Sequence, residues 1–210
     1  MAWAVQYIHQ SIYLIKNPSG EIVMKKQSGF TLIEIAIVLV IIGLLLGGVL
    51  KGQEMMTNAK IKRVSNDFNG ISAAVFSYLD RYASFPGDDP NAAARWGGGT
   101  VSGNGDGLIG GNAFGAGESR ELWDHLRKSG LVSGAGTNYP NHSFGGRIGI
   151  ENTIYGINGT VIVMDNMQGK VGEILDRQLD DGDGNGGQFQ NSANTTNYAQ
   201  DTNYSFAKKL

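Results

Sequence analysis

Apolar positions are arranged along this chain in several distinct ways, and each arrangement predicts a different element. Residues 30–50, FTLIEIAIVLVIIGLLLGGVL, are 21 consecutive positions in which Glu34 is the only charge. That run is long enough to cross a bilayer as a helix. Beyond it, apolar residues recur at Ile61, Val64, Phe68, Ile71, Val75, Tyr78 and Tyr82, in steps of 3 and 4, with Lys60, Lys62, Arg63, Asn66, Asp67 and Asp80 between them. Such spacing draws one stripe along a helix. No proline interrupts before Pro86, so span and stripe read as one helix, roughly 80 Å long at 1.5 Å per residue. The stripe has Tyr at two seam positions and few flanking charge pairs, which makes a poor coiled coil. It therefore predicts a helix packed on its own domain.

FPGDDP, residues 85–90, closes the helical register with two prolines and a glycine. ESRELWDHLRK, 118–128, predicts a second helix with Leu122, Trp123 and Leu126 on its buried side. Gly130 is suited to the left-handed position that ends it, with Leu131 in contact with Leu126. Three short β-branched runs, 147–150, 153–157 and 160–164, are separated by EN and NG and predict an antiparallel meander. KVGEILDRQLDD, 170–181, predicts a third helix with Val171, Ile174, Leu175 and Gln178 on one face, and GQFQ, 187–190, a further strand. Residues 191–210 are polar and repetitive, with Tyr198, Tyr204 and Phe206 as anchors, and predict a flexible tail. The fold class expected is α+β: a long N-terminal transmembrane and amphipathic helix packed on a small Gly-rich head with a short antiparallel sheet. Its divisions are a leader (1–29), a helix (30–85, spanning at 30–50) and a head (86–210).

Composition sharpens this division. Of 32 glycines, 7 precede residue 86 and 25 follow it, so the head orders at a high backbone-entropy cost. The chain has no Cys, which removes disulfides, thiolate metal sites and thiol nucleophiles. A net charge of −2 with 17% charged residues is not that of a nucleic-acid binder. Residues 1–29 contain no membrane-length run, and MKKQSG sets Lys25 and Lys26 directly before the span. Those lysines bias the N-terminus to the cytoplasm and so place the head on the far side of the membrane. Met24 already supplies this basic segment, so it is the expected initiator, and intact-mass analysis of the precursor tests that.

The segment SGFTLIEIAIVLVIIG resembles the processing and methylation segment of type IV pilins and of the pseudopilins of type II secretion. The resemblance covers residues 24 to about 55. It implies cleavage by prepilin peptidase after Gly29, N-methylation of Phe30 as first mature residue, and an assembly role for Glu34 as the acidic fifth residue. It also implies partners: other pilin or pseudopilin subunits and an inner-membrane assembly platform, in a homo- or hetero-oligomeric filament that is structural rather than enzymatic. FPGDDP, LWDHLRKSGLVSG and LDDG resemble a recurrent head type of prepilin-like proteins.

The chemistry of the segment can be argued without that resemblance. A carboxylate in hydrocarbon is expensive and by default functional. Cleavage before Phe30 would free an α-amine one helical turn from Glu34, and a displaced neighbour could present its amine to this carboxylate. Such a pair sets register more than it stores stability. The fifteen large apolar side chains of residues 30–50 would cost on the order of 20 to 45 kcal/mol to expose to water. The subunit can leave lipid only by exchanging it for the helices of neighbours, and Gly43, Gly47 and Gly48 permit close approach. A secretory signal is the competing reading, but only Thr57, Asn58, Ala59 offers a weak cleavage site. A membrane-anchored adhesin or carbohydrate-binding module is the alternative class, and aromatic residues clustered on an exposed head surface would favour it.

In the head, Asp181, Asp183 and Asn185 occupy positions 1, 3 and 5 of an EF-hand-like loop with Gly186 at position 6, but position 12 is Ser192 rather than Glu. They are the expected ligands of a possible Ca²⁺ ion, against the plainer reading of a polar turn. Asn104 and Asp106 are a fainter pair of the same kind. No cofactor is required by the sequence. GDGLIG at 105–110 lacks the flanking strand and helix of a phosphate loop, His125 and His142 are isolated, and Asp88 and Asp89 read as turn formers.

Overall fold

A computed structural model describes residues 14–16, 22–24 and 29–210. The chain divides into two compact units, Met1–Gly52 and Gln53–Leu210. In the first, β1 (Leu14–Lys16) and β2 (Ile22–Met24) form an antiparallel pair with Ile15 opposite Val23. The sequence reading had no such pair, although Asn, Pro, Ser and Gly at 17–20 are the residues turns favour. Most of the expected leader lies outside the described residues. Helix α1 (Leu32–Tyr82) begins in this unit. Every residue from 29 to 60 is exposed, including all fifteen large apolar side chains of the run.

The second unit is α+β. Its four-stranded antiparallel sheet has the order β3–β4–β6–β5, from β3 (Ile148–Ile154), β4 (Ile157–Gln168), β5 (Phe189–Asn191) and β6 (Asn203–Lys209). The remaining helices are α2 (Ala92–Trp96), α3 (Glu118–Lys128) and α4 (Gly169–Leu179). The stripe on α1 does what its spacing requires: Ile61, Val64, Phe68, Ile71, Val75 and Tyr78 are buried, and Tyr82 is half-buried against them. Within the core Phe68 meets Phe189 edge-on at 5.9 Å, and Phe189 stacks on Phe206 at 5.5 Å. The opposite face of the sheet is also covered. There Val161, Val163 and Ala207 pack with Ala113 under Phe114, Ile154 and Tyr155. Gly149 makes this possible, since a Cβ at that position would stand 2.3 Å from the Ala113 carbonyl oxygen.

Helix α3 occupies the expected span. Its end is a Schellman turn: Leu131 N–H donates to Leu126 O at 3.0 Å, Gly130 N–H to Arg127 O at 3.0 Å, and Gly130 has φ +75. Three expectations need correction. The meander of three short strands is two longer ones, because β3 (Ile148–Ile154) runs on through the EN pair and the turn falls at Tyr155–Gly156, with a register shift between Asn152 and Ile154. The tail is not a flexible segment throughout: β6 lies between β4 and β5, with Phe206 and Ala207 fully buried. Its short period-two pattern carries little local signal, and its order comes from pairing with Val161–Met164. The third helix ends at Leu179, leaving Asp180 and Asp181 in the following turn, and buries Val171 and Leu175 while Ile174 stays 40% exposed and Gln178 exposed.

Candidate functional site

The first site is built at the start of α1. Thr31 stands before the first helical residue and Glu34 three positions on, the T-x-x-E spacing of a capping box. Thr31 N–H donates to Glu34 Oε2 at 2.7 Å, and Thr31 Oγ1–H donates to the same oxygen at 2.8 Å. In return Glu34 N–H donates to Thr31 Oγ1 at 3.2 Å. Donors at the helix N-terminus that lack intrahelical partners are thereby satisfied, and a negative charge sits at the positive end of the helix dipole. The sequence reading assigned Glu34 no partner in its own chain. The structure supplies one, and the signal for it, threonine three residues before glutamate, was present. Phe30 is 85% exposed and Gly29 exposed. The junction between them thus lies outside the helix, one residue before the cap. Helix α1 is long and apolar enough to cross a membrane, and none of its apolar window is buried.

The head holds two carboxylate groupings. Asp88, expected as a turn former, accepts from three successive backbone amides, Gly105 at 2.7 Å, Asp106 at 3.1 Å and Gly107 at 2.8 Å. Its carboxylate gathers with those of Asp106 and Glu118 within 4.8 Å. Glu118 in turn holds Asn104 N–H at 2.9 Å and Gly110 N–H at 2.7 Å. Asn104 contributes its Nδ2 to Asp106 at 2.9 Å rather than an oxygen to this group. Asp89 is buried and accepts from Tyr78 Oη at 2.7 Å, Asn91 N–H at 2.9 Å and the Arg95 guanidinium. Burial works to raise its pKa, but the bonds from Arg95 and Tyr78 outweigh it and hold the carboxyl below its ordinary range. Burial, reinforced by Asp89, pushes the Tyr78 hydroxyl up.

At the second grouping the carboxylates of Asp176, Asp180 and Asp181 lie within 4.8 Å of one another. Of the expected set Asp181, Asp183 and Asn185, only Asp181 belongs to it. Asp181 accepts from Asp183 N–H at 2.9 Å and Asp183 from Asn185 N–H at 3.1 Å, so these side chains shape the turn. Asp180 accepts from Phe189 N–H at 2.8 Å and fastens β5. Asp176, which is not one of the expected ligands, is fully buried, bonded to Tyr198 Oη and to Gly182 N–H at 3.2 Å, and burial raises its pKa.

Both head histidines are buried. His125 Nδ1 accepts Gly87 N–H at 2.9 Å, and Nε2 lies 2.8 Å from Val101 O. Those two partners fit the neutral Nε2–H tautomer, and burial lowers its pKa. An aromatic grouping of Tyr78, Tyr82, Trp96 and His125 is packed into or against the core, with Tyr78 and Tyr82 4.6 Å apart.

Residues 24–50 match the family described as the prokaryotic N-terminal methylation motif. That is consistent with the prepilin motif of type IV pilins and pseudopilins, and it supports a processed protein of pilin type with a structural role. No curated protein and no solved structure matches the chain.

Proposed function

We propose that this chain is a prepilin whose mature form is a filament subunit, of a type IV pilus or a type II secretion pseudopilus. Prepilin peptidase hydrolyses the Gly29–Phe30 bond on the cytoplasmic side, leaving the Gly29 carboxylate on the leader and freeing the Phe30 α-amine for methylation. The mature subunit waits in the inner membrane through residues 30–50 with its head in the periplasm, and an assembly platform passes it into the filament. One observation carries this reading: α1 opens with an apolar run of which nothing is buried, and it starts at a Thr31–Glu34 cap immediately after the matched motif's Gly-Phe junction.

The cap bears on the mechanism. Glu34 is not a loose charge awaiting a partner, because Thr31 fixes its carboxylate at the helix end. A neighbour's α-amine therefore meets a pre-oriented acceptor, and docking loses little side-chain freedom. N-terminal sequencing of chain recovered from cells tests the reading. Methylated Phe30 at the first position supports it, and a start upstream of the junction overturns it. Glu34→Ala should leave processing intact and remove the subunit from sedimentable filaments, whereas unchanged incorporation would overturn the assembly role.

Calcium at the 180s loop is a separate proposal, favoured by the convergence of Asp176, Asp180 and Asp181. A divalent cation would relieve their mutual repulsion and shift the ligand set from Asp183 and Asn185 toward Asp176 and Asp180. A calorimetric titration with Ca²⁺, read beside the melting temperature in chelator, tests it. No heat and no shift would remove it.

A further inference from the structure

Four asparagines in this chain are followed directly by glycine: Asn69, Asn104, Asn158 and Asn185. Glycine has no side chain to shield its amide nitrogen, so that nitrogen is open to the carboxamide before it. The structure treats the four pairs differently. Asn69 and Gly70 lie inside α1, where the nitrogen is committed to the helical ladder. Gly105 N–H is clamped by Asp88, to Oδ1 at 2.7 Å and to the main-chain oxygen at 3.1 Å. The Asn104 side chain is engaged at both ends, Nδ2 donating to Asp106 Oδ2 and Oδ1 accepting Asp106 N–H, each at 2.9 Å. Asn158 and Gly159 sit in β4 between Ile157 and Thr160, which pair with Ile154 and Asn152 of β3, and Gly159 N–H donates to Thr153 Oγ1 at 3.3 Å.

Asn185 alone of the four combines an exposed carboxamide, bonded to no other described residue, with a place outside every helix and strand. Its only anchors are local: Asn185 N–H donates to Asp183 Oδ1 at 3.1 Å, and Gly186 N–H to Asp183 O at 2.9 Å. Nor does the backbone require glycine at 186. Gly105 and Gly159 have φ +76 and +102, but Gly186 is not in the left-handed region, and a Cβ there would meet the Asp183 side chain at 3.5 Å, an ordinary contact.

We propose that Asn185 is a site of spontaneous covalent modification, its carboxamide being converted to a carboxylate through a succinimide. The Gly186 nitrogen gives its proton to a solvent base and attacks Asn185 Cγ. A bond from that nitrogen to Cγ closes a five-membered ring, and the Cγ–Nδ2 bond breaks as ammonia leaves with a proton from water. Water then opens the ring. Addition at Cγ yields aspartate, and addition at the Asn185 main-chain carbonyl carbon yields isoaspartate, in which the chain runs on through the former side chain. Either product adds a negative charge to a turn that already holds Asp180, Asp181 and Asp183. Loss of ammonia makes the step irreversible, so their repulsion does not undo it. The isoaspartyl product also lengthens the turn by a methylene close to Gly184, whose carbonyl accepts Asn191 N–H of β5 at 2.9 Å. This chemistry stands apart from the filament reading.

The test ages full-length chain in detergent at mildly alkaline pH and digests it with trypsin under mildly acidic conditions that arrest the reaction. Lysines and arginines between the four pairs put each on its own peptide. The peptide with Asn185 should gain about 1 Da ahead of the other three, with isoaspartate as the main product by electron-transfer fragmentation. In urea the four should convert at comparable rates. Gly186→Ala should slow conversion at Asn185 at least about tenfold, since the Cβ shields the nitrogen, with thermal melting unchanged. Another pair converting first in the folded chain, or the same order of rates in urea, overturns the proposal. So does aspartate formed without isoaspartate, which marks direct hydrolysis, or a wild-type rate in Gly186→Ala.

Discussion

The first nineteen residues of α1 and the last eighty residues of the head are stabilised by opposite means. From Leu32 to Leu50 the helix has fifteen large apolar side chains in or just before it and buries none of them, so its form depends on backbone bonding, its cap and its surroundings. The sheet buries residues on both faces, and β4 has four successive positions, Val161 to Met164, with none more than 1% exposed. The lesson is where each region's stability resides. The apolar helix is complete locally and incomplete as a surface, whereas the head is complete as a surface and depends on pairings far apart in sequence, such as Met164 with Phe206.

The sharpest way to break that contrast is to truncate one side chain of similar size in each region. Phe206 is fully buried against Phe189, Tyr198 and Tyr204, and Phe206→Ala should cost the head about 3 to 5 kcal/mol. Urea unfolding followed by near-ultraviolet circular dichroism of the detergent-solubilised chain reads this. Leu46→Ala, in the exposed run, should leave the same transition where it was. Equal shifts from the two substitutions would mean that residues 30–50 are packed against the head, and the contrast would fail.

The same contrast explains which parts of the structure could be read in advance. The α1 stripe, helix α3 and its Gly130 end are written in patterns a few residues long, and their spans or faces were legible. Strand β6 was not, because NYSFAKK has no strong local preference and acquires its place from β4 and β5. Ile174 fits the helical period of Val171 and Leu175, but the period does not say where the neighbouring helix stops covering it. At the candidate site, Gly29, Phe30 and Glu34 were legible from the segment around them. The partnership of Glu34 with Thr31 was missed since the carboxylate was considered only as a charge in lipid and not as a capping group. The burial of Asp176 was not legible because it comes with a bond from Tyr198, 22 residues away.

A pH experiment separates the regions by smaller effects. His125 sits in the head core with Asp89, Asp124 and Glu121 as the charged groups facing it and Tyr78 and Trp96 against its ring. Burial leads and lowers its pKa, so the unfolded chain binds a proton at acid pH that the folded head refuses. Stability is therefore full above the unfolded value of about 6.5 and falls as pH drops toward the folded value, by at most about 1.4 kcal/mol per pH unit. Denaturant midpoints at pH 7.5 and 5.5 should differ in the wild type. In His125→Gln the midpoint at pH 7.5 should be lower and the pH difference smaller. A variant with the full wild-type difference would assign the acid sensitivity to other groups. The spanning helix contains no histidine and has no part in this window.

The smallest effect belongs to the cap, and it tests whether the helix end is organised before any partner arrives. Thr31→Ala deletes the hydroxyl and with it two of the three bonds between Thr31 and Glu34, but it keeps the backbone amide that donates to Glu34 Oε2 at 2.7 Å. The Glu34 carboxylate should then remain near the helix end with more rotamer freedom. Three results follow from that partial loss. The head's unfolding transition stays put, since the two bonds lost join Thr31 to Glu34 within the start of α1. Amide exchange at Glu34, whose N–H donated to the lost oxygen, becomes faster in detergent-solubilised chain. Filament incorporation falls by less than in Glu34→Ala, and Thr31→Ser restores it. Unchanged exchange in Thr31→Ala would show that the hydroxyl does not hold the cap in solution, and the pre-oriented carboxylate would have to be given up. A defect as deep as that of Glu34→Ala would mean that the neighbour reads the threonine itself.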